Sequence, residues 1–252
     1  MLRKGVILAG GTGSRLNPLT RVTNKHLLPV GPEPMIFHPI RTLVEAGITE
    51  LLIVLGGESV GDFVRLLGDG SEFGLSILYY AHQARPDGIA GALRLAERFI
   101  NGEPFVVMLG DNVVDSSIRP YLERFAESPE RARILLKKVP HPERFGVAVI
   151  RDGTLVEILE KPAPPPSDLA VTGIYMYPGD VFPIVRNLKP SGRGELEITD
   201  VNNHYLHAGR LDYDIFPGTW TDAGTFPSLR SAAETAWKVA EARRDKEKKE
   251  PI

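Results

Sequence analysis

Short apolar runs alternate with amphipathic segments along the first half of the sequence, and this alternation limits the folds open to the chain. Four apolar runs have the length and composition of strands: residues 5–9, 51–55, 76–80 and 105–109. Between them, helical periodicity is found in residues 35–46, 60–67 and 89–99. This alternation predicts an α/β fold with a mostly parallel central mixed sheet, covered by helices on both faces, in which ligands bind at the carboxyl ends of the strands.

The second half of the sequence is richer in strand-like runs. A helical segment at 121–126 precedes strand-like runs at 134–139, 145–150, 154–159, 171–177 and 211–216. Asp152-Gly153 predicts a hairpin turn, and residues 197–207 and 225–249 predict helices. The proline-rich segment 162–167 could link two domains, but a strand-like run follows at once, so we interpret it as a stiff loop. We expect a single domain over 1–252, with halves of about 1–110 and 111–225 and a C-terminal helix of about 226–249.

Charge and composition exclude several classes of protein. The 30 lysines and arginines stand against 32 aspartates and glutamates, so the basic excess of a non-specific nucleic-acid binder is missing. The sequence contains no cysteine, which excludes disulfides and thiolate metal sites. The first apolar run is too short for a signal peptide or a membrane span. We therefore expect a cytoplasmic protein that has neither nucleic acid nor a membrane as its partner.

A glycine-rich turn, Gly10-Gly11-Thr12-Gly13-Ser14-Arg15-Leu16, follows the first strand-like run. Glycines let a backbone turn sharply and let its N–H groups approach an anion. The turn does not match a Walker loop, because Arg15 and Leu16 stand where lysine and serine or threonine are required. It does not match a dinucleotide fingerprint either, because Leu16 stands where a small residue is required. The glycines alone leave both an ordinary strand-to-helix turn and an anion-binding loop open.

The sequence beyond this turn carries a series of motifs. Leu16-Asn17-Pro18-Leu19-Thr20 is followed by Lys25-His26-Leu27-Leu28-Pro29-Val30. Later motifs are Gln83 with Arg85-Pro86-Asp87-Gly88, Leu109-Gly110-Asp111-Asn112, Pro142 to Val147, Glu160-Lys161-Pro162, Val171-Thr172-Gly173, Gly194 to Asp200, and Trp220 to Thr225. In their order and spacing, nearly the whole chain resembles the glucose-1-phosphate thymidylyltransferases and the wider sugar nucleotidyltransferase family. The resemblance implies a three-layer Rossmann-like nucleotidyltransferase fold with a nucleotide-binding first half and a sugar-phosphate-binding second half.

The resemblance also implies a reaction, the Mg²⁺-dependent transfer of a nucleotidyl group from dTTP to glucose-1-phosphate with release of pyrophosphate. A phosphate oxygen of the sugar attacks the α-phosphorus. That oxygen needs little activation, because a phosphomonoester has a second pKa of about 6. The obstacle is the approach of two anions, so positioning, cations and a metal should supply most of the catalysis.

The resemblance assigns roles to particular residues. Arg15 and Lys25 are the catalytic cations, Arg15 at the leaving pyrophosphate and Lys25 near the α-phosphate. Asp111 and Asp222 hold one Mg²⁺ ion together with phosphates and waters. The implied nucleotide-binding residues are Leu8, Ala9, Gly10, Gly11, Thr12, Gly13, Gln83, Gly88 and Asp111. The implied sugar-phosphate-binding residues are Asn112, Gly146, Glu160, Lys161, Val171, Thr172 and Glu195.

Within these sets, Gln83 and Gly88 match the base-reading positions, and a carboxamide suits thymine or uracil. Lys161 matches the lysine that binds the sugar phosphate, whereas Glu160 and Glu195 match residues near the sugar hydroxyls. Without the resemblance, Arg15 and Lys25 would be interpreted as solvated surface charges, and Asp111 and Asp222 as turn aspartates. The six histidines show no metal-binding spacing, so we do not expect a zinc site.

The sequence departs from the family pattern at several positions. His26 stands where glutamine is common, and we expect a nearby triphosphate to raise the pKa of its imidazole. Gly91 stands where a longer polar side chain is frequent, and Phe145 replaces a frequent tyrosine. The chain also ends before the helical extension of longer relatives, so we do not expect their regulatory nucleotide site. A homo-oligomer, a dimer or a tetramer, is expected because oligomers are usual in the family.

Three other functions compete with this reading. A uridylyltransferase, or a transferase using another base or sugar, would share the fold and most motifs. A non-catalytic nucleotide-sugar sensor would be expected to lack one of Arg15, Lys25, Asp111 and Asp222, and all four are present. An NAD-dependent enzyme is disfavoured by the failed glycine spacing.

Overall fold

A computed structural model describes residues 2–247, and one large sheet forms its centre. The nine strands of this sheet, numbered along the chain, are β1 (Lys4–Ala9), β4 (Glu50–Gly56), β5 (Ile77–Gln83), β6 (Phe105–Leu109), β8 (Ala132–Lys138), β9 (Gly146–Arg151), β10 (Thr154–Glu160), β11 (Leu169–Tyr177) and β12 (Leu211–Ile215). Two small sheets pair β2 (Pro29–Val30) with β3 (Glu33–Pro34), and β7 (Asn112–Val114) with β13 (Trp220–Asp222).

The described helices are α1 (Phe37–Glu45), α2 (Val60–Leu67), α3 (Ile89–Arg94), α4 (Glu97–Ile100), α5 (Arg119–Glu127), α6 (Val181–Asn187), α7 (Ile198–His207) and α8 (Phe226–Glu247). Residues 248 and 249 of the predicted last helix lie outside the described residues. Within residues 2–247, no helix combines the length and the apolar character needed to cross a membrane.

The order of the strands confirms the predicted fold class. β5, β4, β1 and β6 are neighbours and run parallel. The antiparallel strand β11 follows β6, and it joins this parallel region to β8 and to the β9–β10 hairpin. The same sheet therefore contains strands from both halves of the chain. The proline-rich segment 162–167 connects β10 to β11 inside this sheet.

Successive side chains of β1 point to opposite faces of the sheet, and each face is covered by a layer of helices. Val6 and Leu8 face one apolar cluster, which includes residues of α3, α6 and α7. Ile7 and Ala9 face the other cluster, which includes residues of α1, α2 and α5. A strand buried on both faces has to be apolar throughout, and this explains why β1 reads as an uninterrupted apolar run.

Two local predictions have different outcomes. The hairpin at Asp152-Gly153 is confirmed, because φ is 48° at Asp152 and 76° at Gly153, as a two-residue primed turn requires. The single helix predicted over residues 89–99 is wrong, because the structure divides it into α3 and α4. The N–H groups of Leu95 and Ala96 donate to carbonyls three residues earlier, and these tighter turns interrupt the α-helix.

Candidate active site

A cleft lies at the carboxyl ends of β1, β5 and β6, on the side of the sheet where the fold class predicts a ligand. Most of the residues predicted for the site line it: Leu8, Gly10, Gly11, Thr12, Gly13, Arg15, Lys25, Gln83, Gly88, Asp111, Asn112, Gly146, Glu160, Lys161, Val171, Glu195 and Asp222. Two predicted residues do not. Ala9 is fully buried in the core, and the Thr172 hydroxyl donates to the carbonyl of Leu135 at 2.9 Å.

The glycines of the first loop are needed for close packing. A Cβ atom on Gly10 would lie 2.1 Å from Oε1 of Gln83, and one on Gly13 would lie 2.8 Å from Cβ of Lys25. Gly13 also has φ of +68°, a backbone conformation that residues with a side chain rarely adopt. The loop therefore lies directly against two predicted site residues, while Arg15 at its end is exposed to solvent in the cleft.

Lys25 and Asp111 form an ion pair in the floor of the cleft. The distance from Lys25 Nζ to Asp111 Oδ2 is 2.6 Å, and the side chains are only 11% and 13% exposed. Asn112 donates to the other carboxylate oxygen at 3.0 Å. Burial alone would raise the pKa of Asp111, but the charge of Lys25 and these hydrogen bonds outweigh it and hold the pKa well below its ordinary value. Asp111 is thus an anion throughout the physiological pH range.

Asn112 also makes hydrogen bonds inside the protein. Its Oδ1 accepts from the N–H of Gly173 at 3.1 Å and from Nε1 of Trp220 at 2.7 Å. The side chain is 1% exposed. Asn112 therefore orients Asp111 and Trp220 and anchors strand β11 at the cleft.

Asp222 reaches Asp111 through the short β7–β13 sheet. Asp222 lies opposite Asn112 in this sheet, and the N–H of Ala223 donates to the carbonyl of Asp111 at 2.8 Å. Burial and the charge of Asp111 raise the pKa of Asp222 to about 6, although Arg144 donates to its carboxylate at 3.1 Å. Two carboxylates therefore lie close enough to repel each other.

Such a pair suits a hard divalent cation. Among residues 2–247, no cluster of three or more histidine, cysteine, aspartate or glutamate residues could hold a metal. Two carboxylates leave most coordination positions to phosphates and waters, and this pattern is typical of Mg²⁺. A cation beside both carboxylates would also remove the repulsion that raises the pKa of Asp222. The residues present therefore fit the predicted ion.

The expectation for His26 is wrong. Its side chain is 1% exposed, and burial, assisted by the charge of Lys25, lowers its pKa to about 3. The ring Nδ1 lies 2.8 Å from Oδ1 of Asn24, which can only accept, so Nδ1 carries the proton. Gly110 makes room for the ring, since a Cβ there would lie 2.8 Å from it. His26 is a neutral, buried residue that lines the cleft and is held there by Asn24.

The second half of the cleft contains a carboxylate cluster around Arg193. Arg193 donates to Glu197 at 2.8 Å, to Glu160 at 3.1 Å and to Glu195 at 3.4 Å. Glu160 also accepts from the hydroxyl of Thr199. The two glutamates predicted to meet sugar hydroxyls are thus held in place by one guanidinium group.

Lys161 has an unusual backbone at the end of β10. Its φ is +45°, and its N–H donates to the carbonyl of Phe145 at 2.9 Å. Left-handed backbone at a residue other than glycine is costly and is common at ligand sites. This turn presents the ammonium group of Lys161 to the cleft, 3.5 Å from Oε1 of Glu160.

Comparisons with known proteins identify the family. The profile of the nucleotidyl transferase family matches residues 4–238. A glucose-1-phosphate thymidylyltransferase of Neisseria meningitidis serogroup A is 45% identical over 234 residues, which cover 91% of this chain and 81% of the relative. The chain belongs to the nucleotidyl transferase family.

Within the nucleotidyl transferase family, the chain groups with the glucose-1-phosphate thymidylyltransferases. A relative of that name from Actinoplanes sp. is 42% identical and shares 92% of this chain and 77% of its own length. A crystal structure from Bacillus anthracis, assigned provisionally to the same activity and containing sucrose, is 53% identical. It superposes with a TM-score of 0.89 and covers 93% of this chain and 95% of its own.

In this nucleotidyl transferase, two arginines at the cleft were given no role from the sequence. Arg144 stands in the motif Pro142 to Val147, and Arg193 lies between two glycines beside an acidic run. For Arg193, the sequence did offer a signal, because it is a single cation close to the predicted site residue Glu195. Its partners could not be named from sequence, because Glu160 is 33 residues away in the chain.

Proposed function

We propose that this protein transfers a thymidylyl group from dTTP to glucose-1-phosphate and releases pyrophosphate, forming dTDP-glucose. The observation that carries the proposal is that Arg15, Lys25, Asp111, Lys161 and Asp222 all line one cleft, although they come from distant parts of the chain. A phosphoryl-transfer site needs such an arrangement of cations around a carboxylate pair.

In the proposed reaction, an oxygen of the sugar phosphate forms a bond to the α-phosphorus of the nucleotide. The bond from that phosphorus to the oxygen bridging the β-phosphate breaks, and the electron pair leaves with pyrophosphate. The attacking oxygen is already ionised, so the chain has to position it rather than deprotonate it. Lys161 supports this step because it lines the cleft and its ammonium group lies 3.5 Å from Glu160, a proposed sugar-binding residue.

The two loop cations act on the nucleotide side. Lys25 is fixed by Asp111 at the floor of the cleft, where it can neutralise charge on the α-phosphate. Arg15 is exposed beside the glycine turn, where its planar donors can follow the departing pyrophosphate. The negative charge that develops on the phosphates is thus stabilised by cations that are already in place. Such preorganised stabilisation is the usual source of large rate enhancements.

We assign Mg²⁺ to Asp111 and Asp222. When bound, it would withdraw charge from the phosphate oxygens and reduce the repulsion between the two substrates. The raised pKa of Asp222 supports this assignment, because a cation beside that carboxylate would favour its ionised form.

The sugar pocket is proposed to use Glu160 and Glu195 as acceptors for hydroxyl groups, with Gly146 and Val171 completing it. Gly146 leaves space there, since a Cβ on it would lie 3.1 Å from the Thr199 hydroxyl. The arrangement supports a hexose phosphate, and glucose-1-phosphate follows from the relatives' names.

Pyrophosphate release from dTTP, UTP, CTP, GTP and ATP with glucose-1-phosphate tests the proposal. We expect the highest kcat/KM with dTTP, and its near loss in Asp111→Asn. Lys161→Ala should raise the KM for glucose-1-phosphate more than that for dTTP. A clear preference for UTP would assign a uridylyltransferase instead, and no pyrophosphate release with any nucleotide would indicate a sensor.

The assembly state and the cellular compartment are separate proposals. We propose a homo-oligomer, a dimer or a tetramer, in the cytoplasm. Sedimentation equilibrium of the purified chain measures the first, and cell fractionation the second. A monomer at micromolar concentration would contradict the proposed oligomer.

A further inference from the structure

The base-reading residue Gln83 has its side-chain amide fixed in one orientation. Its Nε2 donates to Oδ1 of Asp87 at 2.7 Å and to the carbonyl of Gly88 at 3.3 Å. Both partners are acceptors only, so the nitrogen has to be on their side and Oε1 on the other. A flipped amide would place its oxygen against two acceptors.

The free oxygen of Gln83 faces the glycine loop. An ideal Cβ on Gly10 would lie 2.1 Å from Oε1, so the absence of a side chain at position 10 leaves this oxygen its place in the cleft. Within residues 2–247, Oε1 accepts no hydrogen bond. The carboxamide therefore offers a ligand an acceptor, while both of its N–H groups are already in use.

Gly91 gives Asp87 the space for this contact. A Cβ on Gly91 would lie 2.2 Å from Oδ1 and 2.4 Å from Cγ of Asp87. The carboxylate thus occupies the volume that any side chain at position 91 would take.

The backbone of Asp87 also ties the base side of the cleft to the sugar side. The N–H of Leu196 donates to the carbonyl of Asp87 at 2.8 Å, next to Glu195. Gly88 is packed so closely on Leu196 that a Cβ there would lie 2.5 Å from its carbonyl oxygen. The backbone around Asp87 is therefore fixed by Leu196, and this holds the Asp87 carboxylate in position to accept from Gln83.

We propose that Asp87, with the space left by Gly91, is a positioning residue that makes the site select thymine and uracil over cytosine. It holds Gln83 with its oxygen towards the base, so the site accepts a ring N–H, as in thymine and uracil, and rejects the bare ring nitrogen of cytosine. The proposal rests on the proposed function and on the base-reading position that the family resemblance assigns to Gln83.

The test compares dUTP with dCTP, which differ only at ring position 4 and in whether the adjacent nitrogen carries a hydrogen. Their Kd values are measured by calorimetry on the full chain with Mg²⁺ and without a sugar phosphate, so no turnover is needed. Wild type should bind dUTP at least roughly tenfold more tightly than dCTP, the discrimination expected of one hydrogen bond.

Two variants remove the anchor in different ways. Asp87→Ala deletes the acceptor, and Gly91→Ala pushes the carboxylate away from Gln83. Both should reduce the dUTP-to-dCTP affinity ratio by roughly tenfold, because the amide can then turn and donate to cytosine. Arg94→Gln is the matched control, since Arg94 is 3.5 Å from the outer oxygen Oδ2 of Asp87 and 48% exposed. It should leave the ratio unchanged.

The outcomes separate this inference from the proposed function. If Asp87→Ala weakens both nucleotides equally, Asp87 is merely structural and the inference is overturned. An equal affinity of wild type for dUTP and dCTP overturns it as well. If wild type discriminates as expected but releases no pyrophosphate with dTTP and glucose-1-phosphate, the inference stands and the proposed function fails.

Discussion

Replacing Asp222 with asparagine should stabilise the metal-free protein at neutral pH, although it removes a residue that we assign to the metal. The pKa of this carboxyl is raised from 3.8 to about 6 by burial and by Asp111, and its side chain is 15% exposed. At roughly 1.4 kcal/mol per pKa unit, ionised Asp222 opposes folding by about 3 kcal/mol. The attraction of Arg144 is already included in that net shift.

The pH dependence follows from the sign of the shift. The folded state binds a proton at Asp222 more tightly than the unfolded state does, so this contribution favours folding below about pH 4 and is lost as the pH rises through about 6. A neutral asparagine avoids the penalty at every pH. Relative to wild type, Asp222→Asn should therefore gain about 3 kcal/mol in the free energy of unfolding at pH 7.5, and only about 1 kcal/mol at pH 4.5.

Thermal unfolding followed by circular dichroism in EDTA provides the assay. In a protein of this size 1 kcal/mol corresponds to roughly 2–4 °C, so the Tm of Asp222→Asn should exceed that of wild type by roughly 6–12 °C at pH 7.5. Added Mg²⁺ should raise the Tm of wild type and not that of the variant. A variant that melts at or below the wild-type temperature in EDTA at pH 7.5 would refute the reasoning.

Asp212→Asn is the control of opposite sign. A hydrogen bond from Arg131 lowers the pKa of Asp212, so its ionised form favours folding at neutral pH. Its removal should lower the Tm at pH 7.5. A higher Tm in both variants would mean that removing any carboxylate stabilises the chain. The local explanation for Asp222 would then fail.

Three further predictions concern the cations and the histidine of the loop. Lys25→Met should reduce the free energy of unfolding by roughly 3–5 kcal/mol, because it leaves Asp111 buried without its partner, and adding Asp111→Asn should recover most of the loss in urea denaturation. Arg15→Gln should lower kcat for pyrophosphate release by roughly 10²–10³-fold with an unchanged Tm, since the side chain is exposed; an unchanged kcat would contradict its role. His26→Gln should give a pH–rate profile between about pH 6 and 9 that superimposes on that of wild type, because wild-type His26 stays neutral there; a shifted profile would mean that the imidazole titrates in this range.

Strands β1, β4 and β6 could be predicted from sequence because each is a continuous apolar run buried on both faces. β6, for example, was predicted with the bounds that the structure shows. The β7 and β13 strands were not predicted, because three residues are too few to show a period. The meeting of Asp111 and Asp222 depends on these two strands, so periodicity alone gave no sign of it, and only the family resemblance placed the two carboxylates together.

Side-chain environments were harder to predict than positions. His26 stands between Lys25 and a leucine pair, and nothing in that order shows that the residue is almost fully buried. The ring has its space because Gly110 lacks a side chain, and Gly110 comes next to it only in the folded chain. A polar residue next to a predicted catalytic residue was therefore assigned to the substrate side, although the fold buries it.

The charges of the cleft support the proposed divalent cation. Its lining carries equal numbers of cations and carboxylates, Arg15, Lys25, Arg144 and Lys161 against Asp111, Glu160, Glu195 and Asp222. Two of the cations are paired with the carboxylates assigned to the metal, Lys25 with Asp111 and Arg144 with Asp222. The cleft alone thus offers little net positive charge to two phosphate-bearing substrates. A divalent ion at that pair would satisfy both carboxylates and leave Lys25 and Arg144 free to face phosphate. On the proposed metal assignment, the destabilisation expected from Asp222 in the metal-free fold is the electrostatic consequence of holding a place for that ion.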